Sequence, residues 1–145
     1  GLRLEPVAGE ESGLLAAGDA KALALFELGG GVATLLITRS DDSALLLYSI
    51  RGSHSFPPVD RFLTVRLRGP AGNPTGVGAR IELRQNGKVL ARGEVQAGGS
   101  YLAQSSPSVA FAKVPADAVV RVLWPDGSSS ETKVTKPSGP MEVVR

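Results

Sequence analysis

The chain has one histidine, His54, set between Ser53 and Ser55, with Asp41, Asp42 and Asp60 as carboxylates that could join it. On paper these are the parts of a nucleophile, a base and an orienting acid, the set that activates a serine hydroxyl for acyl transfer. Gly52, Pro57 and Pro58 interrupt every regular pattern around His54, so it reads as an exposed loop residue. Asp41-Asp42 and Glu10-Glu11 are adjacent pairs. On an extended chain adjacent side chains point to opposite sides and cannot share general acid and base roles, so these read as turn and solubility residues. Gly76-Val77-Gly78-Ala79-Arg80-Ile81 begins like a dinucleotide fingerprint but lacks the third glycine and precedes a strand instead of opening a helix, which makes it a tight turn. The best polar and aromatic cluster is Tyr101, Gln104, Ser105 and Ser106, just after Gly98-Gly99. It is suited to stacking on and hydrogen bonding a sugar or a peptide; the competing reading has Tyr101 plugging the end of the fold and the serines capping turns. Trp124 could be a second sugar platform, but its place at the end of an apolar alternation, before Pro125, reads as core.

The absence of Cys removes thiolate nucleophiles, disulfides and Cys/His zinc sites, and a single His removes any multi-His metal centre. No catalytic residue, cofactor or metal is expected, and the chain is read as a non-enzyme. At 145 residues, with 42% apolar and 21% charged residues, it suits one compact domain or two small ones, and no apolar run approaches a membrane span. The net charge is only +2. The basic residues beyond position 70 alternate with Glu82, Glu94, Asp117, Asp126, Glu131 and Glu142, and aromatics make up 5% of the chain, so nucleic acid is not an expected partner. Pro74 spoils the Asn73-Pro74-Thr75 sequon. Residues 1–13 carry neither the basic start nor the apolar stretch of a signal peptide, and with Gly1 in first place the sequence is expected to be a processed product, an excised fragment or an incomplete reading.

Period-two and short apolar runs recur about every eight to twelve residues between Gly, Pro, Ser and Asp clusters, the rhythm of an all-β chain. The expected strands are Ala22–Leu28, Ala33–Arg39, Ala44–Ile50, Phe62–Arg68, Ala79–Gln85, Lys88–Gln96, Ser108–Val114, Ala118–Trp124, Ser129–Thr135 and Met141–Arg145. Asn86-Gly87 offers positive φ at both centres of a type I′ hairpin, and Pro125-Asp126-Gly127 a fixed φ followed by a left-handed glycine. Leu63, Val65 and Leu67 should point inward opposite Thr64, Arg66 and Arg68, with Ile81 and Leu83 and then Val120, Val122 and Trp124 repeating the pattern. The second half is therefore expected to be an antiparallel sandwich with one wet face per sheet. Ala33–Ile37 and Ala44–Tyr48 are nearly continuous apolar runs, as of strands covered on both sides, and the one short helix is expected around Gly13–Ala20. A linker at Arg51–Asp60 marks a boundary, giving a β segment over 1–56, a sandwich over 60–136 and a tail or added strand over 137–145.

Four stretches of the second half, Arg66-Leu67-Arg68-Gly69, Gly76 to Ile81, Gly98 to Ser105 and Val122 to Gly127, resemble in order and spacing the ASPIC/UnbV family. Asp60-Arg61-Phe62-Leu63 stands where that family often has Asn-His-Trp-Leu, and Ala110-Phe111-Ala112 where it often has His-Phe-Gly. The resemblance implies a β-rich domain at the C-terminal end of an FG-GAP/VCBS propeller protein. The first half would then be a degenerate propeller-blade-like repeat. Residues 22–31 would fall on the calcium loop of such a repeat, but Glu27 alone cannot supply the six to eight oxygens of a hard cation, so no calcium is expected there.

The expected function is a non-catalytic structural or protein-interaction module, secreted or in the cell envelope by that resemblance. It would dock on other protein domains or identical subunits and could self-assemble through strand edges. A carbohydrate-binding module using Tyr101, Gln104, Ser105 and Ser106, with glycans as partners, is the alternative, and a hydrolase the third.

Overall fold

The computed structural model describes residues 5–12, 14–27, 33–40, 46–49, 62–99 and 103–145. Tyr101, His54, the Asp41-Asp42 pair, the linker Arg51–Asp60 and both ends of the third predicted strand lie outside them. All ten predicted strands form: β1 (Ala20–Glu27), β2 (Ala33–Arg39), β3 (Leu46–Ser49), β4 (Phe62–Arg68), β5 (Arg80–Gln85), β6 (Lys88–Glu94), β7 (Ser108–Ala112), β8 (Val119–Leu123), β9 (Ser129–Lys133) and β10 (Gly139–Val144). They make three sheets of order β1-β2-β3, β10-β4-β7 and β6-β5-β8-β9.

The second and third sheets form the sandwich, and its core is the inward half of each alternation. Leu63, Val65, Ile81, Leu83, Val120 and Val122 are all buried, and each side chain of that size taken from water contributes about 1.5–3 kcal/mol. Trp124 closes the end of this core, buried, its indole N–H donating to Ser130 Oγ at 2.9 Å. It is a core residue, with no face free for a sugar.

Both expected hairpins are present. Asn86 and Gly87 take φ of 50° and 76° between β5 and β6. At the other turn Gly127 N–H donates to the Trp124 carbonyl at 2.9 Å. A bulge between Leu83 and Arg84 lets β6 carry Leu90 as an extra residue. The Gly76–Gly78 stretch is a turn leading into β5, as its place before a strand implied.

Two expectations are corrected. The sandwich is not wholly antiparallel, because β10 pairs with β4 in parallel, from Gly139 opposite Leu63 to Val144 opposite Arg68. No hairpin joins β9 to β10: Lys136-Pro137-Ser138 carries the chain from the edge of one sheet to the other, and β10 arrives running the same way as β4. The tail is thus a strand of the sheet. The helix is a single turn, α1 (Gly9–Ser12), while Leu14–Ala17 is not helical. Gly18, at φ 97°, ends any helical path, and so few residues between glycines cannot offset the cost of nucleation. Of the runs expected to be covered on both sides, β2 has Thr34 and Ile37 buried and Leu35 and Leu36 half-buried; on β1 Ala24 is buried while Leu23 is 49% exposed.

Glycine at position 76 has a φ of +69°, and a Cβ there would sit 2.8 Å from Leu67 Cδ1 and 3.2 Å from Trp124 Cζ3. At Gly87, with a φ of +76°, it would meet nothing within 4 Å. Gly87→Ala is therefore expected to lose about 1 kcal/mol from backbone strain, and Gly76→Ala about 3 kcal/mol as strain and overpacking combine. Urea midpoints of the two variants compare them directly, and equal losses would contradict the packing of Gly76 on the core.

Asp126 accepts hydrogen bonds from the Ser128 hydroxyl at 2.7 Å and from its backbone N–H at 3.1 Å, and pairs with Arg145. These contacts, the Ser128 hydroxyl foremost, hold the Asp126 carboxyl below its ordinary value of 3.8. A carboxyl lowered on folding stabilises the fold above its unfolded pKa, and that stability is lost as pH falls through the folded value. Asp126→Asn is expected to flatten the fall in stability below about pH 4, measured by urea unfolding over the acid range.

Candidate functional site

Strand β1 lies at the edge of its sheet, and its alternation puts Ala22, Ala24 and Phe26 on the face that carries their β2 partners Thr38, Leu36 and Thr34. Beyond β1 runs the segment 103–106. The Leu25 N–H donates to Ser105 Oγ at 3.1 Å, and Ser106 N–H donates to the Leu25 carbonyl at 2.9 Å. Two residues of the second half thus act as a stub of strand against the open edge of the first sheet.

Gln104 secures that stub. Its Oε1 accepts from Gly98 N–H, and its Nε2 donates to the Ser105 carbonyl at 2.8 Å and the Gln96 carbonyl at 3.3 Å. Between stub and sheet lies a groove of about 280 Å³, lined on one side by Ala22, Ala24, Phe26 and Leu36 and on the other by Ala103 and Gln104. Lys21 stands at its rim, paired with Asp19 at 2.8 Å. The Asp19 carboxyl is held below its ordinary value by hydrogen bonds from Lys21 first and then from Ser40, which fastens the start of β1 to the residue after β2.

The structure therefore brings three of the four sequence-predicted ligand residues to one place. Gln104 borders the groove, Ser105 and Ser106 hold β1 beside it, and Tyr101 lies outside the described residues. What sequence reasoning missed is the apolar wall, whose signal was the small and large residues alternating along Ala22-Leu23-Ala24-Leu25-Phe26. The groove offers apolar contact and few free polar groups. Among the described residues no three His, Cys, Asp or Glu side chains come together as metal ligands would.

A second surface is the outer face of the four-stranded sheet. Arg92 Nε lies 2.9 Å from Glu82 Oε1, and Arg84 Nη1 and Arg121 Nε each lie 3.6 Å from Glu131 Oε1. Glu82, only 8% exposed, is the most buried charge of the face. The alternating positions 80, 82, 84 and 92, 94 carried this signal, which sequence reasoning used only to set nucleic acid aside as a partner.

Fold and groove define the class: a β-sandwich module carrying a small apolar sheet on its edge. The chain belongs to the ASPIC and UnbV family, whose match spans residues 69–143, just over half of the chain and through β10. Among solved structures it is similar to BcpA, the major pilin subunit of Bacillus cereus, with 12% identity and a TM-score of 0.35, covering 82% of this chain and 39% of the pilin. A single-residue variant of that pilin gives 12% identity and a TM-score of 0.34, covering 89% and 39%. The chain thus spans about two fifths of the length of these structures. No curated protein matches it. No helix among the described residues is long and apolar enough to cross a membrane.

Ser105→Ala removes the acceptor of the Leu25 N–H. It is expected to cost about 1 kcal/mol at the junction alone. Hydrogen exchange should quicken at the Leu25 amide while the Val122 amide in the sandwich core keeps its protection; unchanged exchange at Leu25 would mean that the stub does not hold the edge.

Proposed function

We propose that this chain is a non-catalytic interaction module, in which the sandwich is the rigid support and the first sheet the docking element for another protein domain. The observation that carries this reading is the apolar surface open on that sheet: Leu23 is 49% exposed beside a groove walled by alanines and the half-buried Phe26 and Leu36. Apolar surface of this kind marks contact sites when it is contiguous. In this reading the module belongs to a longer protein outside the cell or in its envelope and follows an FG-GAP/VCBS-type repeat to which the first sheet would correspond; membership in the ASPIC and UnbV family supports it. The groove's polar groups also favour a protein over a sugar, since Gln104 and Ser105 spend theirs on Gly98, Gln96 and Leu25.

Two measurements test the reading. A screen of ester, glycoside and phosphoester substrates is expected to show no turnover, and activity abolished by His54→Ala would overturn the non-catalytic assignment. An apolar fluorescent probe is expected to bind the native chain and to lose most of its signal with Leu23→Lys, a substitution its exposure tolerates. A chain that takes no probe has no open docking sheet.

A further inference from the structure

Four charged residues cross the outer face of the four-stranded sheet in one row: Arg92 on β6, Glu82 on β5, Arg121 on β8 and Glu131 on β9, each the register partner of the next. Their signs alternate, so exchanging the two ends of the row reverses every sign. On either side of it run the rows Glu94, Arg80, Leu123, Ser129 and Val89, Arg84, Val119, Lys133.

We propose that this face associates with a second copy of the chain, laid face to face about a two-fold axis parallel to the strands and midway between β5 and β8. Under that axis Arg92 of one copy meets Glu131 of the other, and Glu82 meets Arg121. In the flanking rows Arg80 meets Leu123, Glu94 meets Ser129, Arg84 meets Val119 and Val89 meets Lys133. No like charges face one another in any row, and each contact is made twice, as an isologous interface requires. The other in-plane axis, along the central row, would set Arg92 on Arg92 and Glu82 on Glu82 and repel throughout. A uniform polyanion fits worse than a second copy, because Glu82, Glu94 and Glu131 stand among the arginines.

The single chain leaves this row incompletely satisfied. The 3.6 Å separations of Arg84 and Arg121 from Glu131 exceed hydrogen-bond length, and the Nε atoms of both arginines are buried with no hydrogen-bond partner among the described residues, their nearest carboxylates being Glu82 at 3.9 Å from Arg84 and Glu131 at 3.6 Å from Arg121. Carboxylates of a second copy would add acceptors for the remaining guanidinium N–H groups, for which Arg is suited by its planar fork. Strands about 4.8 Å apart, with same-face positions about 7 Å apart, give a contact of about 400 Å² per copy, the size of a weak, transient association.

Sedimentation equilibrium up to about 1 mM protein, at about 20 mM and about 500 mM salt, tests the proposal, since screening acts strongly over this range. The native chain is expected to dimerise at low salt and to dissociate at high salt. Arg92→Glu and Glu131→Lys change side chains that are 69% and 56% exposed on the two edge strands, so both variants should fold. Each alone is expected to weaken dimerisation at least tenfold, because it opposes like charges twice, and an equimolar mixture of the two is expected to restore it. A native chain that stays monomeric at low salt, a dimer that survives either substitution, or a mixture that remains monomeric would overturn the proposal. So would association abolished by Leu23→Lys, which would assign it to the apolar sheet, or a monomer that binds polyglutamate through Arg92 and Arg121, which would assign the face to an acidic partner.

Discussion

A strand edge that is neither paired nor wet leaves N–H and C=O groups unsatisfied, at a cost of about 1–3 kcal/mol for each buried group, and the arrangement of this chain follows from how its edges are met. β1 turns one edge to β2, and at Leu25 its other edge is met by Ser105 and Ser106. Those two contacts fasten the first sheet to the sandwich at a defined place, and the groove exists because the stub runs along β1 without covering the faces of its sheet. β4 has antiparallel β7 on one side and parallel β10 on the other. The last residue continues the same logic, Arg145 N–H donating to the Arg68 carbonyl while its guanidinium reaches Asp126 in the turn of the opposite sheet.

The two halves differ in how they hold their apolar residues. In the sandwich the central strands give one face to the core, so Leu63, Ile81 and Val120 sink, while the other face carries Arg66, Arg80 and Arg121 and, against the expectation of a wholly wet face, the buried Thr64 of β4. β1 and β2 place leucines on both faces, and a sheet of three strands cannot bury both by itself. The sandwich buries its large apolar side chains within itself, and the first sheet is the element with apolar surface left to cover.

Much of this was legible because period-two alternation reports directly on a half-buried strand. Phe62–Arg68 and Val119–Leu123 stand in the structure where the alternation of Leu63, Val65, Leu67 and of Val120, Val122 puts them. Asn86-Gly87 and Asp126-Gly127 gave their turns away through backbone chemistry that few other residue pairs can supply. Strand partners were a different matter. Nothing local to Met141–Val144 distinguishes pairing with β9 from pairing with β4, because the choice depends on where the chain crosses between sheets. The candidate site was half legible for the same reason: Gln104 and Ser105 looked like ligand groups because they are polar and follow a glycine turn, while their hydrogen bonds go to Gly98 and to Leu25, the latter 80 positions away in the chain.

The two surfaces so defined obey different physics. The groove beside β1 gains by removing the half-buried Phe26 and Leu36 further from water, a contribution that salt does not screen and that depends on shape. The face built on Glu82 and Arg121 gains by adding acceptors to guanidinium groups already desolvated at their Nε atoms, so part of the cost of burying charge is met on folding rather than on association. Such a face adds little affinity and much orientation: its alternating row accepts a partner in one register and repels it one strand away. If both surfaces act as proposed, the apolar sheet would supply contact and the charged sheet its register.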